Sequence, residues 1–141
     1  MFKFLEKFQE KDQFQFNAKD RLSQVCNAPN HSSGIYLVYA EEVSIKNLIY
    51  IGISGREGQN GEIIHRQDGI GGRIIKGKQF KEARRRSWPQ KMEEDGIEKL
   101  HVHWYITHGK YDQRIPREIE RKLLLVLQAY RGSLPIWNKQ V

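Results

Sequence analysis

Residues 34–52 read GIYLVYAEEVSIKNLIYIG, two runs rich in β-branched and aromatic residues on either side of a polar centre. Runs of this kind favour strands, and residues 42–46 suit a hairpin connection. A turn centred on Val43 sets Tyr36 opposite Tyr50. Alternation then puts Tyr36, Val38, Leu48 and Tyr50 on one face and Ile35, Leu37, Ile49 and Ile51 on the other. Neither face is polar, so the sheet carrying this hairpin is expected to be covered on both sides.

The neighbouring segments supply the cover. Leu100 to Thr107 alternates Leu100, Val102, Trp104 and Ile106 against His101, His103, Tyr105 and Thr107, which predicts a third strand. Pro116 is placed to start a helix and Gly132 to end it, with Ile119, Leu123, Leu124, Leu127 and Tyr130 as its apolar stripe. Between hairpin and third strand lies a Gly-rich stretch, 55–72, expected as a loop-like insertion. A basic helix is expected to open at Arg73 and run through Arg86, and Ser87-Trp88-Pro89 to restart a second short helix that Gly96 ends. Residues 1–33 read as an N-terminal extension packed on the core, with Phe4, Leu5 and Phe8 at helical spacing and Phe14 and Phe16 alternating. The expectation is one α+β domain over residues 1–141, a small three-stranded antiparallel sheet flanked by helices on both sides.

Hydrophobic residues make up 38% of the chain and charged residues 29%, a balance suited to a folded globular domain. The apolar run Leu123 to Leu127 is far below the roughly 20 residues that span a bilayer, and the N-terminus lacks a continuous apolar signal segment. A cytoplasmic protein with no membrane contact is expected. Cys26 is the only cysteine, which excludes an internal disulfide and a zinc knuckle and reads as a small buried hydrophobe. The net charge of +7 is local: Arg73, Lys76, Lys78, Lys81, Arg84, Arg85, Arg86 and Lys91 stand against Glu82 alone, and the rest of the chain balances. A concentrated basic segment is the footprint of a surface that meets phosphates, with a solvated helix face as the plainer alternative.

Several familiar motifs fail on their chemistry. Gly72 to Lys78 fits G-x-x-x-x-G-K, yet Gln79 stands where a phosphate-binding loop needs a hydroxyl for magnesium. His101, His103 and His108 lack the cysteine or acidic partner a zinc site would use, so hydrogen-bonding or surface roles are expected of them. No serine sits in a glycine-framed elbow.

Tyr36, Tyr50, Arg73, a glutamate on the last helix and Asn138 remain. With GIY at 34–36, YIG at 50–52, GGRI around Arg73, EIERKLL around Glu120 and PIWN ending at Asn138, residues 34–138 resemble the GIY-YIG nuclease family. Two assignments stay open: Arg66 competes with Arg73, because the Gly-rich insertion separates Arg73 from YIG, and Glu118 competes with Glu120. The GGRI context favours Arg73, and the spacing to Leu123 and Leu124 favours Glu120.

The resemblance implies a magnesium- or manganese-dependent DNA endonuclease that hydrolyses phosphodiesters by a one-metal mechanism. Tyr36 would be the general base, Tyr50 its neighbour, Glu120 the metal ligand and Arg73 the stabiliser of the phosphate, with Asn138 bracing the tail. A carboxylate suits a hard divalent cation, and the planar guanidinium fork suits phosphate oxygens. A phenol, ordinarily near pKa 10, needs a cation beside it to take a proton from water. Lys76, Lys78, Lys81, Arg84, Arg85, Arg86 and Trp88 are expected to hold the DNA backbone. No small-molecule cofactor is expected, and one site per chain makes a homodimer the simplest way to cut both strands. The alternatives are a noncatalytic nucleic-acid-binding module and an RNA-directed nuclease on the same fold.

Overall fold

The computed structural model describes residues 2–65 and 68–138, so Arg66 lies outside the described residues. After a 3-10 turn at Lys3–Leu5 come strand β1 (Lys11–Asn17) and a short helix α1 (Leu22–Val25). The hairpin predicted from the opening stretch follows as β2 (Ser33–Ala40) and β3 (Leu48–Ser54). Small strands β4 (Arg56–Glu57) and β5 (Ile63–Ile64) form a ribbon, and helix α2 runs over Gly69–Lys76. A second ribbon, β6 (Lys78–Gln79) and β7 (Glu82–Ala83), leads into α3 (Arg84–Asp95), β8 (Lys99–His108), α4 (Pro116–Arg131) and a 3-10 turn at Ile136–Asn138.

The main sheet has four antiparallel strands in the order β1-β8-β2-β3, not three. The extra strand comes from the N-terminal extension. Phe14 and Phe16 are its only buried residues, and they pair with Val102 and Leu100 on the outer side of β8, so their alternation forms a strand on the sheet edge.

Both faces of the sheet are covered, as the two apolar faces of the hairpin require. On one side Tyr36, Val38, Ile49, Leu100, Val102 and Trp104 pack with Ile70 and Ile74 of α2, Trp88 and Met92 of α3, and Trp137. On the other, Ile35, Leu37, Tyr39, Leu48 and Ile51 pack with Ile119, Leu123 and Leu127 of α4 and with Phe2, Leu5 and Phe8. The spacing of Phe4, Leu5 and Phe8 therefore delivers a plug for the α4 layer.

The hairpin register differs from the expected one by two residues: Tyr36 faces Gly52, and Val38 faces Tyr50. A bulge between Val38 and Tyr39 sets Tyr39 opposite Leu48. The bulge turns Leu48 into the α4 layer and Ile49 into the α2 layer, reversing the faces that strict alternation assigns them. Tyr36 and Tyr50 still share a face, as diagonal neighbours.

The basic segment is not one helix. The glycines at 69, 71 and 72 lie inside α2, where a Cβ on Gly71 would run into the carbonyl oxygens of Ala28 and Pro29. That contact is the reason for glycine at 71: α2 approaches the loop before β2 closely enough that the Gly71 N–H donates to the Pro29 oxygen at 2.8 Å. The chain then leaves the helix at Gly77, turns through Phe80 and Lys81 at positive φ, and restarts at Arg84. The second helix thus begins three residues before the expected Ser87.

Candidate active site

The site starts from Tyr36, fully buried in the middle of β2. Its ring lies across Gly52 on β3; a Cβ there would collide with Cζ, Oη and Cε2 of the phenol. Glycine at the end of the YIG tripeptide is therefore a space made for the tyrosine of the GIY tripeptide. The Tyr50 ring stands beside it, centroids 6.0 Å apart and planes at 51°.

Arg84 closes the pair from the α3 side. Its guanidinium carbon sits 5.3 Å from the Tyr36 ring centre, 5.8 Å from that of Tyr50 and 5.6 Å from that of Trp88. Nε donates to Gln79 Oε1 at 3.0 Å and Nη1 to the Arg73 carbonyl at 2.7 Å, while Trp88 Nε1 donates to the same Gln79 oxygen at 2.9 Å. The Nη1 atoms of Arg73 and Arg84 lie 2.6 and 2.5 Å from where a Gly77 Cβ would be, so the two cations crowd the space that glycine leaves. Among the described residues neither arginine has a carboxylate within ion-pair distance. Arg84 Nη2 and Arg73 Nε are buried without a hydrogen-bond partner among the described residues. Burying a charge costs of the order of several kcal/mol, which Arg84 offsets with these hydrogen bonds and the three rings around it, while the half-buried Arg73 stays open to an anion from the cavity side. Burial pushes the Tyr50 phenol up to about 12 and Tyr36 adds to the rise, with Arg84 and Arg73 opposing it.

Arg73 also lines a cavity of about 320 Å³ at the end of β3, together with Ile53, Gly55, Arg56, Ile64 and His65. A second cavity, of about 290 Å³, shares Ile53, Gly55 and Arg56 and continues to Ile115, Pro116 and Arg117 at the start of α4. Arginines from three elements therefore border one path around the end of the hairpin.

Glu120 lies one turn further along α4, in the layer opposite the tyrosines. Its carboxylate is half-buried and has no hydrogen bond or ion pair among the described residues, and burial raises it above the usual carboxylate range, with Arg117 opposing. Glu118 is exposed in the first turn. Of the two, Glu120 is the more buried. Among the described residues no three His, Cys, Asp or Glu side chains converge on one point, so a divalent ion at Glu120 would take its other oxygens from water and phosphate.

Asn138 has a clear task. It accepts from the Ile51 N–H at 2.9 Å and donates to the Ile51 carbonyl at 3.0 Å, satisfying both free groups of an edge-strand residue. Trp137 beside it is buried against Phe80 and Trp88 and donates to Asp95 at 3.0 Å.

The expected DNA-holding surface divides. Lys76, Lys78, Lys81, Arg85 and Arg86 are exposed, with Lys76 paired to Asp68 at 2.5 Å. Arg84 and Trp88 are fully buried and cannot form part of such a surface. Arg84, Trp88 and Met92 fall at i, i+4 and i+8, so a single helical stripe takes all three inward. That spacing was the signal for a buried arginine; the charge run concealed it.

The histidines of β8 serve locally. His101 Nε2 is hydrogen-bonded to the Glu41 carbonyl at 2.9 Å, and His103 stacks edge-on with Tyr39, centroids 5.2 Å apart. Cys26 is partly buried, and burial raises its thiol.

Compared with known protein families, with curated protein sequences and with solved structures, the chain matches none. No helix among the described residues is long and apolar enough to cross a membrane.

Proposed function

We propose that this protein is a divalent-cation-dependent DNA endonuclease of the GIY-YIG kind. The observation that carries the reading is the Arg73 guanidinium, which lines a cavity next to the Arg84 that backs the Tyr36–Tyr50 pair and has no carboxylate to neutralise it among the described residues. A phosphodiester in that cavity supplies negative charge to Arg73, and its developing charge during hydrolysis is stabilised further.

In this reading Arg73, which reaches the cavity, binds the phosphate and stabilises the extra charge of the transition state. Tyr36 accepts a proton from the attacking water, Tyr50 fixes the ring of Tyr36, and Arg84 supports both from beneath. Glu120 would hold magnesium or manganese, which when bound supplies Lewis acidity and an activated water. Asn138 keeps β3 and its tyrosine in place. The exposed Lys76, Lys78, Lys81, Arg85 and Arg86 hold the DNA backbone, a contact that carries no sequence information by itself.

Two observations favour a second reading, a nucleic-acid-binding module without catalysis: Tyr36 is fully buried, and Glu120 is carried by the helix of the opposite layer. A single experiment separates them. Plasmid, branched and single-stranded DNA, and RNA, are incubated with the protein plus magnesium or manganese. Metal-dependent cleavage that Arg73→Ala and Glu120→Ala both abolish supports the nuclease. Tight binding without cleavage on every substrate refutes it.

A further inference from the structure

Ser33, His65 and His108 form a cluster beside this site that the mechanism above leaves unused. Ser33 is fully buried at the start of β2, and its Oγ lies 2.6 Å from His65 Nδ1. The His65 ring stands 5.6 Å from that of His108, whose Nδ1 is buried without a partner among the described residues. His65 is thereby held on two sides, although it follows a glycine-rich ribbon and is itself exposed. It lines the same cavity as Arg73 and Arg56, whose volume of about 320 Å³ corresponds to roughly ten water molecules. With Nδ1 engaged by Ser33, Nε2 is the nitrogen left for a ligand in that cavity.

A phosphodiester held there by Arg73 has two needs on opposite sides of phosphorus: a proton taken from water on one and a proton given to the departing oxygen on the other. The nuclease reading assigns the first to Tyr36, which backs the cavity without lining it. We infer that His65 is the catalytic residue that meets the second, donating the proton to the leaving oxygen from Nε2, with Ser33 as the positioning residue that fixes its ring; the inference rests on the nuclease reading. In the reacting state His65 carries protons on both nitrogens, and Nδ1–H donates to Ser33 Oγ. Water oxygen bonds to phosphorus, the bond from phosphorus to the leaving oxygen breaks with its electron pair on that oxygen, and the Nε2 proton completes the hydroxyl. The ring is left neutral, its remaining proton still directed at Ser33.

Sulfur in place of the leaving bridging oxygen tests this, because a thiolate departs without a proton. DNA with the natural link and DNA with the sulfur-bridged link are cleaved under single-turnover conditions by wild type, His65→Ala and Ser33→Ala. Loss of a general acid slows the natural link roughly 100-fold, at the low end of the usual contribution. The sulfur link is then cleaved within a few-fold of the wild-type rate. Ser33→Ala shows a smaller loss with the same rescue, and a thermal melt of each variant checks that the fold is retained. Equal slowing of both links by His65→Ala, or slowing of neither, overturns the role of His65 while leaving the nuclease reading intact. Wild type that binds both links and cleaves neither overturns the two together.

Discussion

Gly52→Ala is the sharpest perturbation this fold offers, because its cost follows from one contact. The added methyl would overlap Cζ and Oη of Tyr36 and lie 2.6 Å from Cε2. The ring has no room to yield: Tyr36 is fully buried, with Tyr50 and Arg84 against it. Overpacking of a dense core costs about 1–3 kcal/mol, and a trapped aromatic ring puts this case near about 3 kcal/mol. Unfolding entropy scales with chain length, so for 141 residues that loss lowers the melting temperature by about 10 °C. Urea unfolding of wild type, Gly52→Ala, Tyr36→Leu and the double variant isolates the contact. Leucine withdraws the atoms that clash, so Gly52→Ala in the Tyr36→Leu background should cost about 2 kcal/mol less than in wild type, a coupling within the range for touching residues. An equal cost in both backgrounds would refute the claim that Gly52 exists to admit the Tyr36 ring.

Three further outcomes are expected. Asn138→Ala removes two partly buried hydrogen bonds to Ile51, which should cost about 1–2 kcal/mol and speed exchange of the Ile51 amide, read by hydrogen exchange. Burial raises the Glu120 carboxylate, so the folded state holds that proton more tightly than the unfolded chain and loses stability as pH rises through the carboxylate range. Glu120→Gln should accordingly be more stable than wild type at neutral pH in metal-free buffer, the difference vanishing near about pH 3, where both states are protonated. If the exposed basic face meets DNA, Arg85→Ala with Arg86→Ala should reduce the slope of log binding constant against log salt by about 2, whereas the buried Arg84→Met leaves it unchanged.

Much of the sheet was legible in the sequence, since paired apolar faces on the hairpin demand two covering layers and both are present. The faces of Leu48 and Ile49 were not, because a bulge is a single extra residue that leaves no mark on hydrophobic alternation. Strand β1 was half visible: Phe14 and Phe16 have a period of two, but two residues cannot tell an edge strand from a packed coil. Within the candidate site, the shared face of Tyr36 and Tyr50 followed from parity, which survives a register shift of two. Arg84 did not follow, because a run of three arginines looks uniformly solvated until the helical phase set by Trp88 and Met92 is imposed on it. His65 could not be placed either, since the contact joining it to Ser33 spans 32 positions of the chain and depends on how the Gly-rich ribbon folds back.

The grip of Asn138 on Ile51 bears on how the edge of the sheet is guarded. An open sheet edge is a template on which another chain can add a strand. At β3 the amide of Asn138 occupies the Ile51 N–H and carbonyl, interrupting the row of free groups at its middle. On the far edge β1 turns Lys11, Asp12, Gln13 and Gln15 to solvent, charged and polar side chains that discourage pairing. A cut that removes the Ile136–Asn138 turn would therefore do more than loosen the tail: it would bare the β3 edge and turn a self-limited sheet into one that can grow.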